Sequence, residues 1–224
     1  MGQAFPPSGG VLDLAGQAPV AAGQLQQVYA WPGRDDLLVK VVRPGFAEQH
    51  WTGLSGWFKR RRRLGVLTNA GRTIAEHLAL RVAGPFPTRH VQEFLGFVET
   101  SEGPGVVVRA LRGADGKLAP TLRTLVTEKR FTPAAAAALD EFCAWLVTSP
   151  IIVGDLHLSN LVLAEDAAGD PRVVIIDGMG EKNALPLNSW FPALNRANSR
   201  ARIQRLRRQL MRRLTEAASR DSGD

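Results

Sequence analysis

The stretch IIVGDLHLSNLVLAEDAAGDPRVVIIDGMGE, residues 151–181, restricts the fold more than any other part of the chain. Two apolar runs, LVLA and RVVII, flank EDAAGDP, whose Asp, Gly and Pro are turn formers, so a hairpin is predicted. Its surroundings are helical in pattern. Helices are expected over 121–129 and 133–147 before it and over 195–214 after it. The helix from 133 has Thr132 as N-cap and Pro133 in its first turn.

The first half has a different character. QLQQVYAWP and DDLLVKVVRP, joined by PGRDD, predict one antiparallel hairpin. VQEFLGFVE and GVVVRAL, joined by SEGP, predict another. Between them, Ile74, Leu78 and Val82 are four apart and mark the expected inward face of a helix over 69–82. Residues 1–19 are rich in Gly and Pro and read as a loose lead-in. EQHWTGLSGWFKRRRRLG shows no pattern that assigns an element. Strands with one helix, then helices with one hairpin, make an α+β chain in two parts, 1–111 and 112–224. No internal repeat is visible.

Charge matters more to function than to fold. The net charge is +7 and the isoelectric point about 10.4, a balance that favours anionic partners: nucleotides, nucleic acid or anionic lipid. Weak binding at best is expected for the last two. The run KRRRR, 59–63, reads as a solvated, self-repelling loop rather than a nucleic-acid patch. In the C-terminal helix, Ile203, Leu206, Leu210 and Leu214 form a stripe that is expected to pack on the protein, although a basic amphipathic helix also suits an anionic membrane. The single cysteine, Cys143, excludes an internal disulfide and a Cys-based zinc site. No apolar run approaches the roughly 20 residues of a transmembrane helix, and no signal-peptide pattern is present. A cytoplasmic location is the expectation.

Three polar residues stand at the ends of the 151–181 strands. Asp155 and Asn160 follow the spacing D-x-x-x-x-N, and Asp177 precedes Gly178. Phosphoryl transfer from ATP needs a carboxylate to take the acceptor's proton, oxygen ligands for magnesium, and a cation on the phosphates. Asp155 suits the first task. Asn160 and Asp177 suit the second, since Mg2+ prefers such oxygens and keeps several waters. Lys40, in the run DDLLVK, is the candidate cation, with Glu76 as the partner that would hold it. Taken singly, each has an ordinary alternative: a snorkelling lysine, a solvated glutamate, turn-forming aspartates. His157 is expected to make a structural hydrogen bond within the loop, and Trp190 to pack beneath the Asp177 strand.

The order Lys40, Glu76, Asp155, Asn160, Asp177-Gly178 resembles the protein-kinase signature. GDLHLSN is closer to the loop of kinase-like small-molecule phosphotransferases. Over most of the chain, VYAWPGRDDLLVKVVRP and VVIIDGMGEKNALPLNSW resemble the YrbL, or PhoP regulatory network protein, family. The specific part is D-x-x-G-E-x-x-x-x-P-L with its Trp: Asp177, Gly180, Glu181, Pro186, Leu187 and Trp190. The resemblance implies a protein-kinase-like two-lobed fold, with a small β-rich N-lobe, a helical C-lobe, and ATP and Mg2+ between them. The adenine is then expected on the backbone of Arg109, Ala110 and Leu111. The chain departs from protein kinases in lacking a G-x-G-x-x-G loop, the D-F-G phenylalanine and an A-P-E segment. Two functions stay open: transfer of the ATP γ-phosphoryl group to an unidentified hydroxyl acceptor, or an inactive kinase-like scaffold whose basic surface recruits a partner.

Overall fold

The computed structural model describes residues 10–61, 63–84, 86–166, 168–181 and 185–219. The chain divides into two compact units: residues up to Ala70 with Glu93–Ala110, and Gly71–Gln92 with Leu111 onward.

The first unit is built on an antiparallel sheet. Its strands are β1 (Ala21–Ala22), β2 (Gln26–Trp31), β3 (Arg34–Val42), β4 (Phe94–Thr100) and β5 (Gly103–Arg109), in the order β1-β2-β3-β5-β4. Both expected hairpins are present, and Gly33 in the β2–β3 turn takes the positive φ of 74° that glycine tolerates. Val39 and Val41 point to one face, where they pack with Leu14, Tyr29, Leu37, Val98 and Val107. By the alternation of a strand, Lys40 lies on the other face, opposite Val28 of β2 and Val106 of β5.

The lead-in is not loose from Leu12 onward; residues 1–9 lie outside the described residues. Leu12 donates to the Glu99 carbonyl (2.7 Å) and accepts from the Ser101 N–H (3.0 Å), and Leu14 is buried. An edge strand offers unpaired backbone groups, and this segment takes those at the end of β4. The unassigned basic stretch forms two short helices, α1 (Phe46–His50) and α2 (Gly53–Arg60). Lys59 and Arg60 of the KRRRR run therefore end a helix rather than occupy a loop. Arg62 lies outside the described residues.

The second unit holds α3 (Thr68–Val82, which starts in the first unit), α4 (Leu122–Thr127), α5 (Pro133–Thr148), the hairpin β6 (Leu161–Glu165) and β7 (Pro171–Ile175), α6 (Leu187–Trp190) and α7 (Pro192–Ser219). Thr132 caps α5 as its sequence predicts, its hydroxyl accepting from the Ala135 N–H at 3.2 Å, with Pro133 in the first turn. The hairpin is covered on both faces. Leu161, Val173 and Ile175 join the main core with Phe142, Leu146 and Leu206, whereas Val162, Ala164 and Val174 form a second cluster with Leu111, Ala119 and Ile176. Burial on both sides explains why these strands read as nearly continuous apolar runs. The α7 stripe packs as expected: Ile203, Leu206 and Leu210 are core residues, and Leu214 rests against them.

Two packing expectations fail. In α3 the buried residues are Ala70, Glu76 and Leu80, while Leu78 and Val82 are exposed. The inward face is anchored by a polar contact, so the apolar stripe misidentifies it. Trp190 is exposed and does not pack under the Asp177 strand. Among the five tryptophans none is fully buried; Trp31 and Trp145 lie against the two cores.

Candidate functional site

The second unit closes the Asp155–Asn160 loop upon itself. Residues 152–155 run antiparallel to 178–180: Gly180 donates to the Ile152 carbonyl (2.7 Å), Val153 bridges Met179, and Asp155 donates to the Gly178 carbonyl (2.9 Å). After one 3₁₀ turn, the Asn160 side chain returns and its Nδ2 donates to the Asp155 carbonyl at 3.0 Å. The Asn160 carbonyl accepts from the Ile176 N–H at 2.9 Å, one residue before Asp177. The fivefold spacing of D-x-x-x-x-N thus has a structural meaning. It lets the amide of Asn160 close the loop that Asp155 opens.

This closure brings Asp155, Asn160 and Asp177 together. Gly178 is the point of closest approach: a Cβ built there would lie 2.3 Å from the Asp155 carbonyl oxygen and 2.7 Å from Asn160 Nδ2. Its φ of 85° also suits glycine alone. Asp177 Oδ1 accepts from the Gly178 N–H (2.7 Å), which fixes the carboxylate at the strand end. With Nδ2 of Asn160 turned to a carbonyl, its Oδ1 is the end left to serve as an oxygen ligand. His157 Nε2 lies 3.7 Å from Asp155 Oδ2, inside the loop but farther than the hydrogen bond expected of it.

Further side-chain contacts hold this ribbon. Glu76 of α3 accepts from the Ile152 N–H at 2.8 Å. Asn195 of α7 donates to the Ile151 carbonyl at 2.9 Å. Glu181 accepts from the Asn188 N–H, and Asn188 in turn accepts from Asn198 Nδ2. Arg202 sits on the α7 face that carries Asn195 and Asn198. Its buried Nη1 has no hydrogen-bond partner, and its charge feels the carboxylates of Glu181 and Asp155. Glu181 belongs to the D-x-x-G-E segment, which is the one signal that singles it out. The asparagines sit in a helix dominated by arginine and carry none.

Burial gives Glu76 an unusual carboxyl. Desolvation raises its pKa from 4.5 to about 7, opposed by the Ile152 N–H and assisted by the nearby charge of Glu181. Because the folded value exceeds the unfolded one, the stabilisation is complete below about pH 4.5 and is lost as pH rises through about 7. At full ionisation that loss is about 3 kcal/mol. Glu76→Gln keeps an acceptor for the Ile152 N–H and removes the charge. The melting temperature of the variant is therefore expected to gain on wild type between pH 5 and pH 8.5. Parallel melting curves across that range would refute the buried carboxyl.

The remaining predicted residues belong to other elements. Lys40 is on β3 of the first unit. The N–H groups of Arg109 and Ala110 are already used, by the Glu93 (3.0 Å) and Asp36 (2.9 Å) carbonyls, and the Leu111 carbonyl accepts from Ala119. The Arg109 side chain belongs to an ion-pair network. It donates to Asp36 (2.6 Å) and Glu93 (3.1 Å), and Arg34 also grips Asp36, holding that carboxyl down at about 2. Among the described residues no three His, Cys, Asp or Glu side chains are grouped to hold a metal. A magnesium site here would rest on Asn160 and Asp177, with waters and phosphate oxygens completing it, which is how this ion is commonly held. No helix among the described residues is long and apolar enough to cross a membrane.

These features define an α+β protein: an antiparallel five-stranded sheet unit, and a helical unit whose one hairpin carries an Asp–Asn loop locked against an Asp-Gly strand end. The chain belongs to the family described as PhoP regulatory network protein YrbL, which matches residues 12–211. It is 24 % identical over 183 residues to uncharacterized protein YrbL of Escherichia coli K12, covering 80 % of this chain and 79 % of that one. The Shigella flexneri protein of the same name matches equally. Among solved structures, it is similar to the PknI kinase domain of Mycobacterium tuberculosis, with a TM-score of 0.42 and 18 % identity over 71 % of this chain. The match spans only 56 % of that kinase domain.

Proposed function

We propose that this chain is a kinase-like phosphotransferase that binds ATP with Mg2+ and phosphorylates a hydroxyl acceptor. The observation that carries the reading is the closed loop, in which Asn160 returns to Asp155 beside Asp177-Gly178. Asp155 would take the proton of the acceptor hydroxyl as it attacks. Asn160 and Asp177 would supply oxygen ligands to the ion, and Lys40 the positive charge on the phosphates. ATP supplies the transferable phosphoryl group. A lysine ammonium brought beside Glu76 would ionise its carboxyl, and in that state Glu76 would steady Lys40. Backbone groups of the Arg109–Leu111 segment other than the two engaged N–H groups would meet the adenine.

A second reading is a nucleotide-sensing or scaffold protein without turnover, in line with a family description that refers to a regulatory network. The engaged N–H groups of Arg109 and Ala110 and the raised pKa of the Glu76 carboxyl favour it. Thermal shift separates the possibilities. A ligand at 100 times its Kd stabilises by about 2.7 kcal/mol, so ATP with Mg2+ is expected to raise the melting temperature by roughly 5–10 °C in a chain of this size. Asp177→Asn should abolish most of the magnesium-dependent part. No shift with ATP, with or without Mg2+, would overturn the nucleotide site.

A further inference from the structure

Helix α2 is turned inside out for a helix of a water-soluble surface. Gly56 is its one buried residue, and a Cβ there would lie 2.2 Å from the Trp51 backbone carbon, so this face is pressed onto the preceding segment. Arg60, four residues on, lies on the same face and donates to the Ala47 (3.1 Å) and Trp51 (2.8 Å) carbonyls. The opposite face carries Leu54, Trp57, Phe58 and Arg61, spaced i, i+3, i+4, i+7. Leu54 is 82 % exposed, Phe58 65 % and Trp57 47 %, and Leu64 just beyond is 50 % exposed. Trp57 and Phe58 meet edge to face, and the Arg61 guanidinium sits 4.2 Å above the Trp57 ring.

The charge along this stretch of sequence has one sign. No Asp or Glu occurs between Glu48 and Glu76, whereas Lys59 and four consecutive arginines do. An apolar, aromatic-bearing face in a stretch whose charged residues are all cations fits one environment well: the interface of an anionic bilayer, where Trp and Phe enter the headgroup boundary and Lys and Arg meet lipid phosphates. A nucleic-acid groove would match the charge but gives no cause for an exposed Leu–Phe pair.

We propose that α2 is a peripheral membrane-binding element that lays Leu54, Trp57 and Phe58 into an anionic bilayer surface, with Lys59, Arg61 and Arg63 on the lipid headgroups. Arg60 has a different task, as the clamp that holds the helix apolar side outward. The proposal does not depend on the assignment of residues to phosphoryl transfer.

The test is co-sedimentation of the full chain with phosphatidylglycerol-containing vesicles at low salt, and with pure phosphatidylcholine vesicles. Binding is expected only to the anionic vesicles and should weaken steeply with salt. Trp57→Ser with Phe58→Ser should reduce it about tenfold or more. Lys59→Gln with Arg61→Gln and Arg63→Gln should do so by at least a similar factor. These side chains are exposed, so both variants should keep the wild-type melting temperature. Trp57→Phe should remove the vesicle-induced blue shift of tryptophan emission while binding persists. Absence of binding to anionic vesicles overturns the proposal, as does binding that the Trp57/Phe58 variant leaves unchanged. Duplex-DNA binding that is lost in the basic variant, without vesicle binding, reassigns the surface to nucleic acid.

Discussion

Asp155→Asn is expected to lower ATP turnover by about 10² to 10⁴-fold while leaving the ATP-dependent rise in melting temperature in place. That is the usual scale for a lost general base. The structure gives a reason why fold and binding should survive. The loop is held by the main chain of Asp155, its N–H on Gly178 and its C=O under Asn160. An asparagine keeps both groups and nearly the same volume; what it loses is the charge that faces His157 and Arg202, and with it the ability to take a proton. The assay is ADP release from ATP and Mg2+, first without acceptor and then with a panel of small hydroxyl compounds. Equal turnover in wild type and variant would remove Asp155 from the chemistry. Turnover in neither, with a normal thermal shift, would favour the nucleotide-sensing reading.

Gly178→Ala should have the largest effect on stability. The positive φ costs about 1–2 kcal/mol for a residue with a Cβ. The contact with the Asp155 carbonyl adds about 1–3 kcal/mol, because the atom in the way is backbone and cannot swing aside. Together these correspond to a fall of roughly 5–15 °C in melting temperature. Gly169 in the hairpin turn provides the control. Its φ is 86°, nearly the same, yet a Cβ there meets nothing within 4 Å. Gly169→Ala should therefore pay the conformational part alone. Similar losses at the two sites would mean that the loop yields, and that Asp155 and Asn160 are less firmly held than their hydrogen bonds indicate.

What could be read in advance was what local rules decide. The three hairpins announce themselves through turn residues between β-branched runs, and α5 through Thr132 and Pro133. The Asp–Asn spacing pointed to a shared site because both residues belong to one loop. Reading failed where the partner lies far along the chain. Periodicity assumes that apolar residues face inward, but α3 is fastened by Glu76 to an N–H 76 residues away, and its Leu78 and Val82 face outward. The stretch containing α2 matched no pattern for a related reason: a glycine and an arginine form its inner face. The hold of Asn195 on Ile151 spans 44 residues, and no feature of the α7 sequence announces it.

The double covering of the β6–β7 hairpin bears on how the site can move. Val162 and Val174 face one apolar cluster, Leu161 and Ile175 the other, and all four are essentially closed to water. Amides in such a ladder exchange with solvent only when the surrounding unit opens as a whole. Val162, Val174 and Ile175 should thus be among the slowest-exchanging protons of the chain, with opening energies near that of global unfolding. Asn160 immediately precedes this rigid ladder and Asp177 follows it by two residues, so their spacing is set by the slowest breathing part of the protein. Any rearrangement that accompanies a working cycle would then have to come from segments that lack this double covering.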